Sequence, residues 1–231
     1  MTPRAIVERA LEVGLDIVAI CDHNSARNVE ACRRAAIGKP LLVLPGLEIT
    51  TSEEVHILGI FENHKDSDAV QDEVYARLYG VNDENAFGVQ AVVNEFDEVD
   101  DLDDRLLIGA TTLSSERVTR LIHSFNGLAI ASHVDRSGFG IFSQLGFIPP
   151  GLELDALEVS FRSSFEELKK RYSQAEKYSL ITSSDAHYLA DIGLGYTEAE
   201  LETPSFREIT MALRGQGARR IRRQFRSGKS D

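Results

Sequence analysis

Short apolar runs alternate with longer amphipathic stretches along most of the chain. Each run is four to seven residues long and rich in β-branched side chains, as in strands that are buried on both faces of a sheet. The runs lie at Asp16–Cys21, Leu41–Leu44, Val55–Phe61, Leu128–Ser132, Ala156–Phe161 and Ser179–Ser183. The pattern predicts six strands, and runs of this kind are typical of a parallel sheet.

Helical signals fill the stretches between these runs. Pro3, which follows a threonine, indicates a helix start because proline suits the first helical position. Capping boxes, in which a glutamate follows a serine by three residues, predict two further helix starts at Ser163 and Ser205. Helices are also predicted over Ser25–Ile37 and Ser114–Phe125. The alternation of strand and helix indicates an α/β fold built from right-handed crossover units.

Residues 62–106 interrupt the alternation of strands and helices. The segment is rich in Asp and Glu and shows helical patterning around Ala69–Tyr79 and Val89–Phe96. We predict an acidic helical insertion within a single domain that spans residues 1–231. A mobile acidic linker is the alternative, since acidic segments with few apolar residues do not form a core. The basic run at 219–223 is predicted to be a solvated terminal strand or tail rather than a nucleic acid site.

Composition and charge exclude several classes of protein. With 231 residues, of which 42% are hydrophobic and 27% charged, the chain suits one domain with a substantial core. The formal net charge of −12 would repel a nucleic acid backbone, so duplex nucleic acid is not expected as a partner. We expect no signal peptide and no membrane association. Cys21 and Cys32 are too few for a disulfide framework and are expected to be reduced thiols of a cytoplasmic protein.

Histidines and carboxylates fall at or beside the ends of the apolar runs. The set consists of Asp22 and His23 after the first run, Glu48 after the second, His56 in the third, His133 at the end of the fourth, and Asp185 and His187 after the sixth. The carboxyl ends of the strands of a parallel barrel meet at one mouth. A closed barrel would therefore gather these side chains in one place, and for that reason we prefer it to an open sheet.

Imidazole and carboxylate ligands together suit zinc, manganese or iron. Each residue also has a simpler explanation: His56 could be a hydrogen-bonded core histidine, Asp22 a helix cap and Asp185 a turn residue. Their joint occurrence at four separate strand ends favours a metal site. His64, in an acidic loop, and His123, in a helix, are expected to be structural.

These residues resemble the motifs of the PHP family, the polymerase and histidinol phosphatase hydrolases, from Thr2 to about Gly195. The matching segments are 19–24 (AICDHN), 46–48 (GLE) with His56 following, 131–133 (ASH) and 184–187 (SDAH). The resemblance implies a distorted (β/α)7 TIM-like barrel that holds two or three divalent metal ions (Zn, Mn or Fe) at the carboxyl ends of its strands. The metal ligands that it implies are His23, Glu48, His56, His133, Asp185 and His187.

The same resemblance implies hydrolysis of phosphomonoesters or phosphodiesters by hydroxide formed on the metal ions. Asp22 and Asp185 are the candidate catalytic carboxylates. Arg136 and Arg162 lie just beyond strand ends and are candidates to bind phosphate in a bidentate manner, although either could equally form a surface salt bridge. A small phosphorylated molecule is the expected substrate, and nucleotides and amino-alcohol phosphates both stay open.

The chain departs from the family pattern at its start. The family begins with a His-x-His motif on the first barrel strand, and no histidine precedes His23 here. We expect this first strand to be missing from the sequence, because the later motifs are intact. Asp16–Cys21 would then expose an unpaired apolar edge. The position held by Glu48, His56 and His133 would keep its full ligand set and bind metal most tightly.

Two other functions stay open at this point. A non-catalytic PHP-like binding or scaffold module would account for the incomplete motif. A metal-dependent amide hydrolase on a similar barrel would need a lysine or carbamate bridge between its metals, and no lysine lies at a matching position.

Overall fold

The computed structural model describes residues 1–226, with side chains described as far as Arg222. Ten strands and eight α-helices follow one another within this part of the chain. In order they are α1 (Pro3–Glu12), β1 (Ile17–Ile20), α2 (Val29–Ala35), β2 (Leu42–Thr50), β3 (His56–Ile60), α3 (His64–Tyr75), α4 (Glu84–Phe87), β4 (Ala91–Val93), β5 (Val99–Leu102), α5 (Ser115–Ser124), β6 (Leu128–Ala131), α6 (Ile141–Gln144), β7 (Ala156–Glu158), α7 (Phe165–Arg171), β8 (Ser179–Ile181), β9 (Gly195–Glu200), α8 (Phe206–Leu213) and β10 (Arg220–Arg226).

The six predicted strands form one six-stranded sheet in the order β1-β2-β3-β6-β7-β8. β1 is parallel to β2, and β6, β7 and β8 are parallel to one another. β3, however, is antiparallel to both of its neighbours, so the prediction of an all-parallel sheet is wrong. The link between β2 and β3 covers only residues 51–55, and a parallel crossover needs about a dozen residues or more. A hairpin is the connection that so short a link permits.

The sheet curls into a half-barrel, which makes the fold α/β as predicted, while the described residues do not close a (β/α)7 barrel. β1 and β8 form the two edges of the sheet. A cavity of about 390 Å³ lies between these edges, and its apolar lining includes Ile17, Leu58, Ile130 and Ile181. Within residues 1–226, β1 pairs on one side only, in agreement with the predicted unpaired edge.

Helix starts follow the predicted caps with two local exceptions. Ser205 caps α8 through its hydroxyl, which accepts a hydrogen bond from the backbone N–H of Glu208. Ser164, not Ser163, caps α7, because the Ser163 hydroxyl donates to the Asp135 carboxylate instead. α2 begins later than predicted, since Ser25 is buried beside Gln71.

The segment 62–106 contains the helix α3 and the single turn α4, and it ends in a hairpin. α3 lies there as predicted, but the predicted helix at Val89–Phe96 is wrong: β4 and β5 form an antiparallel hairpin. The Asn94 side chain accepts hydrogen bonds from the backbone N–H groups of Phe96 and Glu98, and Asp97 has a φ of 67°. This compact turn reverses the chain, because a local side-chain acceptor competes with helical hydrogen bonding.

Core packing fixes the middle strands of the sheet. One face of these strands packs against α3 and α5, and the buried residues in this layer include Leu47, Ile49, Ile57, Phe61, Val70, Ile122 and Ala131. Successive side chains of a strand point to opposite faces. The residues that alternate with this core set therefore point to the concave face of the half-barrel.

The basic run at 219–223 lies mostly in β10, which pairs with β9 as a terminal strand. Arg219 contacts Glu202 and Glu208, and Arg220 and Arg222 contact Glu200. These three arginines therefore form ion pairs with acidic residues of the same chain, as expected for a terminal strand. Over residues 1–226, the helices are all too short or too polar to cross a bilayer.

Candidate metal centre

Glu48 lies at the centre of a cluster of three imidazoles. Leu47 and Ile49 on either side of it are fully buried in the core, so strand alternation turns Glu48 to the concave face. One carboxylate oxygen, Oε2, lies 3.0 Å from His23 Nδ1 and 3.3 Å from His56 Nδ1. The other, Oε1, lies 3.5 Å from His133 Nε2. His133 Nε2 also lies 3.3 Å from His56 Nδ1, so the carboxylate and the three imidazoles form one compact cluster.

Four buried polar atoms of this cluster make no hydrogen bond of good geometry among the described residues, although His23 Nδ1 and Glu48 Oε1 lie near other polar atoms of the cluster. They are His23 Nδ1, Glu48 Oε1, His56 Nε2 and His133 Nδ1. Leaving a buried polar atom unpaired is unfavourable, and native structures seldom do so without a reason. A cation bound among these nitrogen and oxygen atoms would satisfy them, and the donor set fits zinc, manganese or iron.

The electrostatics of the cluster favour an ionised carboxylate. Burial by itself would raise the pKa of Glu48, but the contacts with His133, His23 and His56 outweigh burial and hold that pKa well below its ordinary value. Burial likewise lowers the pKa of His23 and of His133, yet the contact of each with Glu48 prevails and raises it. The carboxylate thus attracts positive charge to this point of the structure.

Asp185 and His187 lie on the loop after β8 and face the same opening. Together with the cluster and Arg136 they line a pocket of about 230 Å³, which we call the mouth pocket. Its lining is His23, Glu48, His56, Ile108, His133, Arg136, Gly138, Phe139, Asp185 and His187. Asp185 Oδ2 lies 2.5 Å from Arg136 Nη1, and His187 Nδ1 lies 3.1 Å from the backbone oxygen of Asp185. All six predicted metal ligands therefore meet at one rim.

The other two predicted site residues lie outside the mouth pocket. Asp22 faces the cavity between β1 and β8, where its carboxylate accepts a hydrogen bond from Asn28 and burial raises its pKa. The Arg162 guanidinium lies over the Phe161 ring, 5.3 Å from its centre. A catalytic role for Asp22 and a phosphate-binding role for Arg162 stay predictions.

Two of the predicted ligands have an uncommon backbone conformation. His133 has a φ of 29° and Asp185 a φ of 45°, both positive for residues with a Cβ atom. Such conformations are unfavourable and concentrate at functional sites, where neighbouring contacts hold them in place. Here each one turns the chain sharply at the end of a strand and directs a side chain towards the mouth pocket.

Glu158 is a buried acidic residue that the sequence did not single out. It ends β7, where its carboxylate accepts hydrogen bonds from the Ser183 hydroxyl at 2.9 Å and the His133 backbone N–H at 3.4 Å. Burial raises its pKa to about 7. An acid inside an otherwise apolar run (ALEV) was the signal that could have found it. Glu158 therefore supports the strand end that carries His133.

The two histidines expected to be structural lie outside the cluster. His64 Nδ1 lies 2.8 Å from Arg33 Nη1 and 3.5 Å from Glu30 Oε2. His123 Nε2 lies 2.9 Å from Asp155 Oδ2. Each therefore has polar partners outside the mouth pocket.

Sequence comparisons match parts of the chain to a family model and to curated relatives. A family model described as PHP-associated (PHP_C) matches residues 167–216. The uncharacterized protein YqxK of Bacillus subtilis is 31% identical over 121 residues, which cover 47% of this chain and 31% of that protein. The 5'-3' exoribonuclease Rnm of Salmonella typhimurium is 35% identical over 65 residues, which cover 26% of this chain and 22% of that protein. The chain thus matches only a minor part of each curated relative.

Solved structures share the fold over a larger part of the chain. The lesion-specific endonuclease Q of Pyrococcus furiosus matches with a TM-score of 0.75 and 15% identity, over 97% of this chain and 54% of that chain. A candidate metal-dependent phosphoesterase from Bifidobacterium adolescentis matches with a TM-score of 0.57 and 18% identity, over 81% of this chain and 82% of that chain. The family model confirms the resemblance to PHP proteins that the motifs indicate, over residues 167–216, and the solved structures show a shared fold.

The expectation that duplex nucleic acid is not a partner is wrong. Endonuclease Q with a 27-mer duplex carrying an abasic lesion at its active site matches this chain with a TM-score of 0.73 and 16% identity, over 96% of this chain and 53% of that chain. The expectation failed because the net charge is not spread evenly. Residues 62–106 hold fourteen acidic and three basic side chains, so nearly all of the formal charge of −12 lies there. The remainder of the chain is close to neutral and does not repel a phosphate backbone.

Proposed function

We propose that this chain hydrolyses phosphate esters in a divalent-metal-dependent reaction, and that phosphodiesters of nucleic acid are its substrate class. The observation that carries the proposal is the convergence of Glu48 with His23, His56 and His133, where four buried polar atoms make no hydrogen bond among the described residues. Shared fold with endonuclease Q supports the choice of nucleic acid.

Glu48 would hold the divalent ions together with the imidazoles around it. Its Oε2 lies near His23 and His56 and its Oε1 near His133, and the His56 and His133 nitrogens lie 3.3 Å from each other, so one oxygen and several nitrogens would be available to each ion. Asp185 and His187 at the outer rim would complete the ligand set. When bound, the divalent ions would polarise the phosphoryl oxygens and activate water at neutral pH. The protein would fix the positions of the ions, because Glu48, His56 and His133 lie on or directly after buried strands.

Arg136 would bind the phosphate group of the substrate. Its guanidinium contacts Asp185 at the edge of the mouth pocket, and its side chain is 38% exposed. A phosphate group offers a guanidinium the same bidentate geometry as a carboxylate. Substrate would therefore draw Arg136 away from Asp185 and leave that carboxylate free to serve as a ligand.

Turnover of model diesters and oligonucleotides tests the proposal. The chain would be loaded with Mn²⁺ or Zn²⁺ and assayed with bis(4-nitrophenyl) phosphate, a single-stranded oligonucleotide and a duplex with an abasic site. Glu48→Gln should abolish both metal binding and hydrolysis, because the carboxylate charge is lost. Glu62→Gln, which makes the same change at an exposed position beyond β3, is the control. Equal turnover in Glu48→Gln and wild type would contradict the proposal.

A non-catalytic module that binds phosphate is the second candidate. The observation that favours it is the Arg136–Asp185 ion pair, which neutralises one of the predicted ligands. Such a module would take up metal and nucleic acid without hydrolysing any of the three substrates. The amide hydrolase alternative lacks comparable support, since no lysine lines the mouth pocket as described.

A further inference from the structure

Two apolar side chains line the mouth pocket among its histidines and charged residues. Ile108 is 45% exposed and Phe139 is 38% exposed. They come from separate loops: Ile108 follows the acidic segment, and Phe139 belongs to the loop between β6 and α6. The exposed parts of these two side chains are not stabilised by burial in the core. Core packing therefore does not explain why apolar residues lie beside the candidate metal centre.

The backbone at Phe139 has a strained conformation. Phe139 has a φ of 59°, although its neighbours Gly138 and Gly140 would adopt that conformation far more readily and do not. A bulky side chain is disfavoured in this left-handed region. Such an outlier at the rim of a site is a reason to ask what the side chain does there.

Close contacts hold the Phe139 ring at the pocket. The ring stacks on His56, with centroids 4.3 Å apart and an angle of 19° between the planes. The backbone oxygen of Phe139 accepts a hydrogen bond from the His56 N–H at 3.0 Å. A Cβ atom at Gly140 would lie 2.6 Å from the Arg136 backbone oxygen, so only glycine lets the loop fold back this tightly. The ring is thereby fixed beside the cluster while part of it stays exposed.

Hydrogen bonds from a buried side chain hold the backbone on both sides of Ile108. The fully buried Asn24 donates through Nδ2 to the backbone oxygens of Leu107 at 2.7 Å and Gly109 at 2.8 Å, on both sides of Ile108. Its Oδ1 accepts a hydrogen bond from the Thr50 backbone N–H at 3.1 Å. Asn24 directly follows His23, so one residue ties the Ile108 loop to the metal cluster.

We propose that Phe139 and Ile108 bind an unpaired nucleobase next to a phosphate bound in the mouth pocket, an inference that rests on the proposed function. Aromatic faces bind bases by stacking without regard to sequence, and an aliphatic side chain adds apolar contact. A base inside a duplex is stacked on its neighbours and must be extruded to reach such a surface. The surface therefore selects single strands and nucleotides that are unpaired or opposite a lesion.

Fluorescence of a base analogue measures this contact directly. The probe is a phosphorothioate-linked single strand containing 2-aminopurine, whose emission falls when it stacks, added to the Zn²⁺-loaded chain. Wild type should quench it, and Phe139→Leu should remove most of the quenching and weaken binding about 10-fold, in line with the contribution of base stacking. Ile108→Ala should weaken binding by a smaller factor. Phe147→Leu is the matched control, because Phe147 is 51% exposed and does not line the mouth pocket.

A glycine variant separates binding from folding. Phe139→Gly removes the ring and relieves the strain at φ 59°, so its thermal midpoint should not fall while its affinity for the probe falls as in Phe139→Leu. Quenching and affinity equal to wild type in both Phe139 variants would overturn the base-binding surface. Failure of wild type to bind any strand would overturn it as well.

The two proposals fail in different ways. If wild type binds and quenches the probe but hydrolyses no phosphate ester, the base-binding surface stands and the hydrolase is wrong. If hydrolysis depends on Glu48 yet the KM for single strands is the same in Phe139→Leu and wild type, the hydrolase stands and the base-binding surface is wrong.

Discussion

The two sides of the candidate metal centre differ in how the protein holds them. Glu48, His56 and His133 are 4%, 5% and 3% exposed and come from the middle strands of the sheet or directly after them. Asp185 and His187 come from the loop after an edge strand, and His187 is exposed. We call these the strand side and the loop side.

The difference teaches that the strand side is organised before any metal arrives. Its side chains alternate with the fully buried Leu47, Ile49 and Ile57, so the packing of the core fixes them. On the loop side Asp185 has an alternative partner in Arg136, which a bound ion would have to displace. A site whose ligands need no rearrangement binds more tightly, because it avoids the cost of ordering.

Loss of a strand-side ligand should have the largest effect. We expect His133→Ala to weaken metal binding by at least about 100-fold, since even partners that only orient a ligand contribute about 10–100-fold. His187→Ala should weaken it by about 10-fold or less. Isothermal titration with Zn²⁺ measures both, with His64→Ala as the control for a histidine elsewhere. Equal losses at His133 and His187 would remove the distinction between the two sides.

Replacing Arg136 tests the loop side by its effect on substrate binding rather than on metal binding. We expect Arg136→Ala to raise the KM for bis(4-nitrophenyl) phosphate by about 10-fold, because a charge-assisted hydrogen bond contributes about 1.5–3 kcal/mol. Arg162→Ala should leave KM unchanged, since its guanidinium lies over Phe161 and outside the mouth pocket. Steady-state kinetics of both variants measure the difference. A larger effect at Arg162 would mean that the loops rearrange when substrate binds.

The contrast between the two sides also marks what the sequence could predict. Apolar runs identified all six strands of the sheet, and histidines at strand ends identified the ligands that meet at the mouth pocket. The direction of β3 could have been predicted as well, because the five-residue link before it is too short for a crossover. The net charge gave a wrong prediction about nucleic acid because it was treated as evenly spread over the whole surface.

Other features depend on contacts that no local pattern contains. Asn24 donates hydrogen bonds to residues more than eighty positions later, so the sequence around it does not predict that it holds the Ile108 loop. The positive φ values of His133 and Phe139 likewise follow from how the loops close over the barrel rim. Such features are properties of tertiary packing, which overrides local preference.

The pH dependence of stability should report on the strand side in metal-free protein. The pKa of His133 is raised, so the stability that its contact with Glu48 contributes is fully present below the about 6.5 of an unfolded histidine and is lost as pH rises through the raised value. The pKa of Glu48 is lowered, so its contribution is present above the about 4.3 of an unfolded glutamate and is lost as pH falls through the lowered value. Metal-free protein should therefore be most stable in mildly acidic solution.

Metal should reverse this trend, since a bound ion needs neutral imidazoles and displaces their protons. We expect the thermal midpoint to rise with pH in Zn²⁺ and to fall with pH in EDTA above about pH 6.5. Thermal melts across this range measure both curves. Glu48→Gln should remove the effect of metal and weaken the metal-free trend, and parallel curves with and without metal in wild type would contradict the assignment of the cluster.

The smallest effect is expected at a histidine that has no part in either side. His123 pairs with Asp155 at the far end of β6, and Asp155 also accepts a hydrogen bond from the Ala129 N–H at 2.9 Å. His123→Gln removes one partner of a half-buried pair, and we expect it to lower the free energy of unfolding by about 1 kcal/mol. Metal affinity and turnover should not change, because Asp155 keeps its contacts with Ala129 and Arg214. Urea unfolding measures the first quantity and Zn²⁺ titration the second, and a loss of metal affinity at this distance would show that the strand side is not fixed by its own packing.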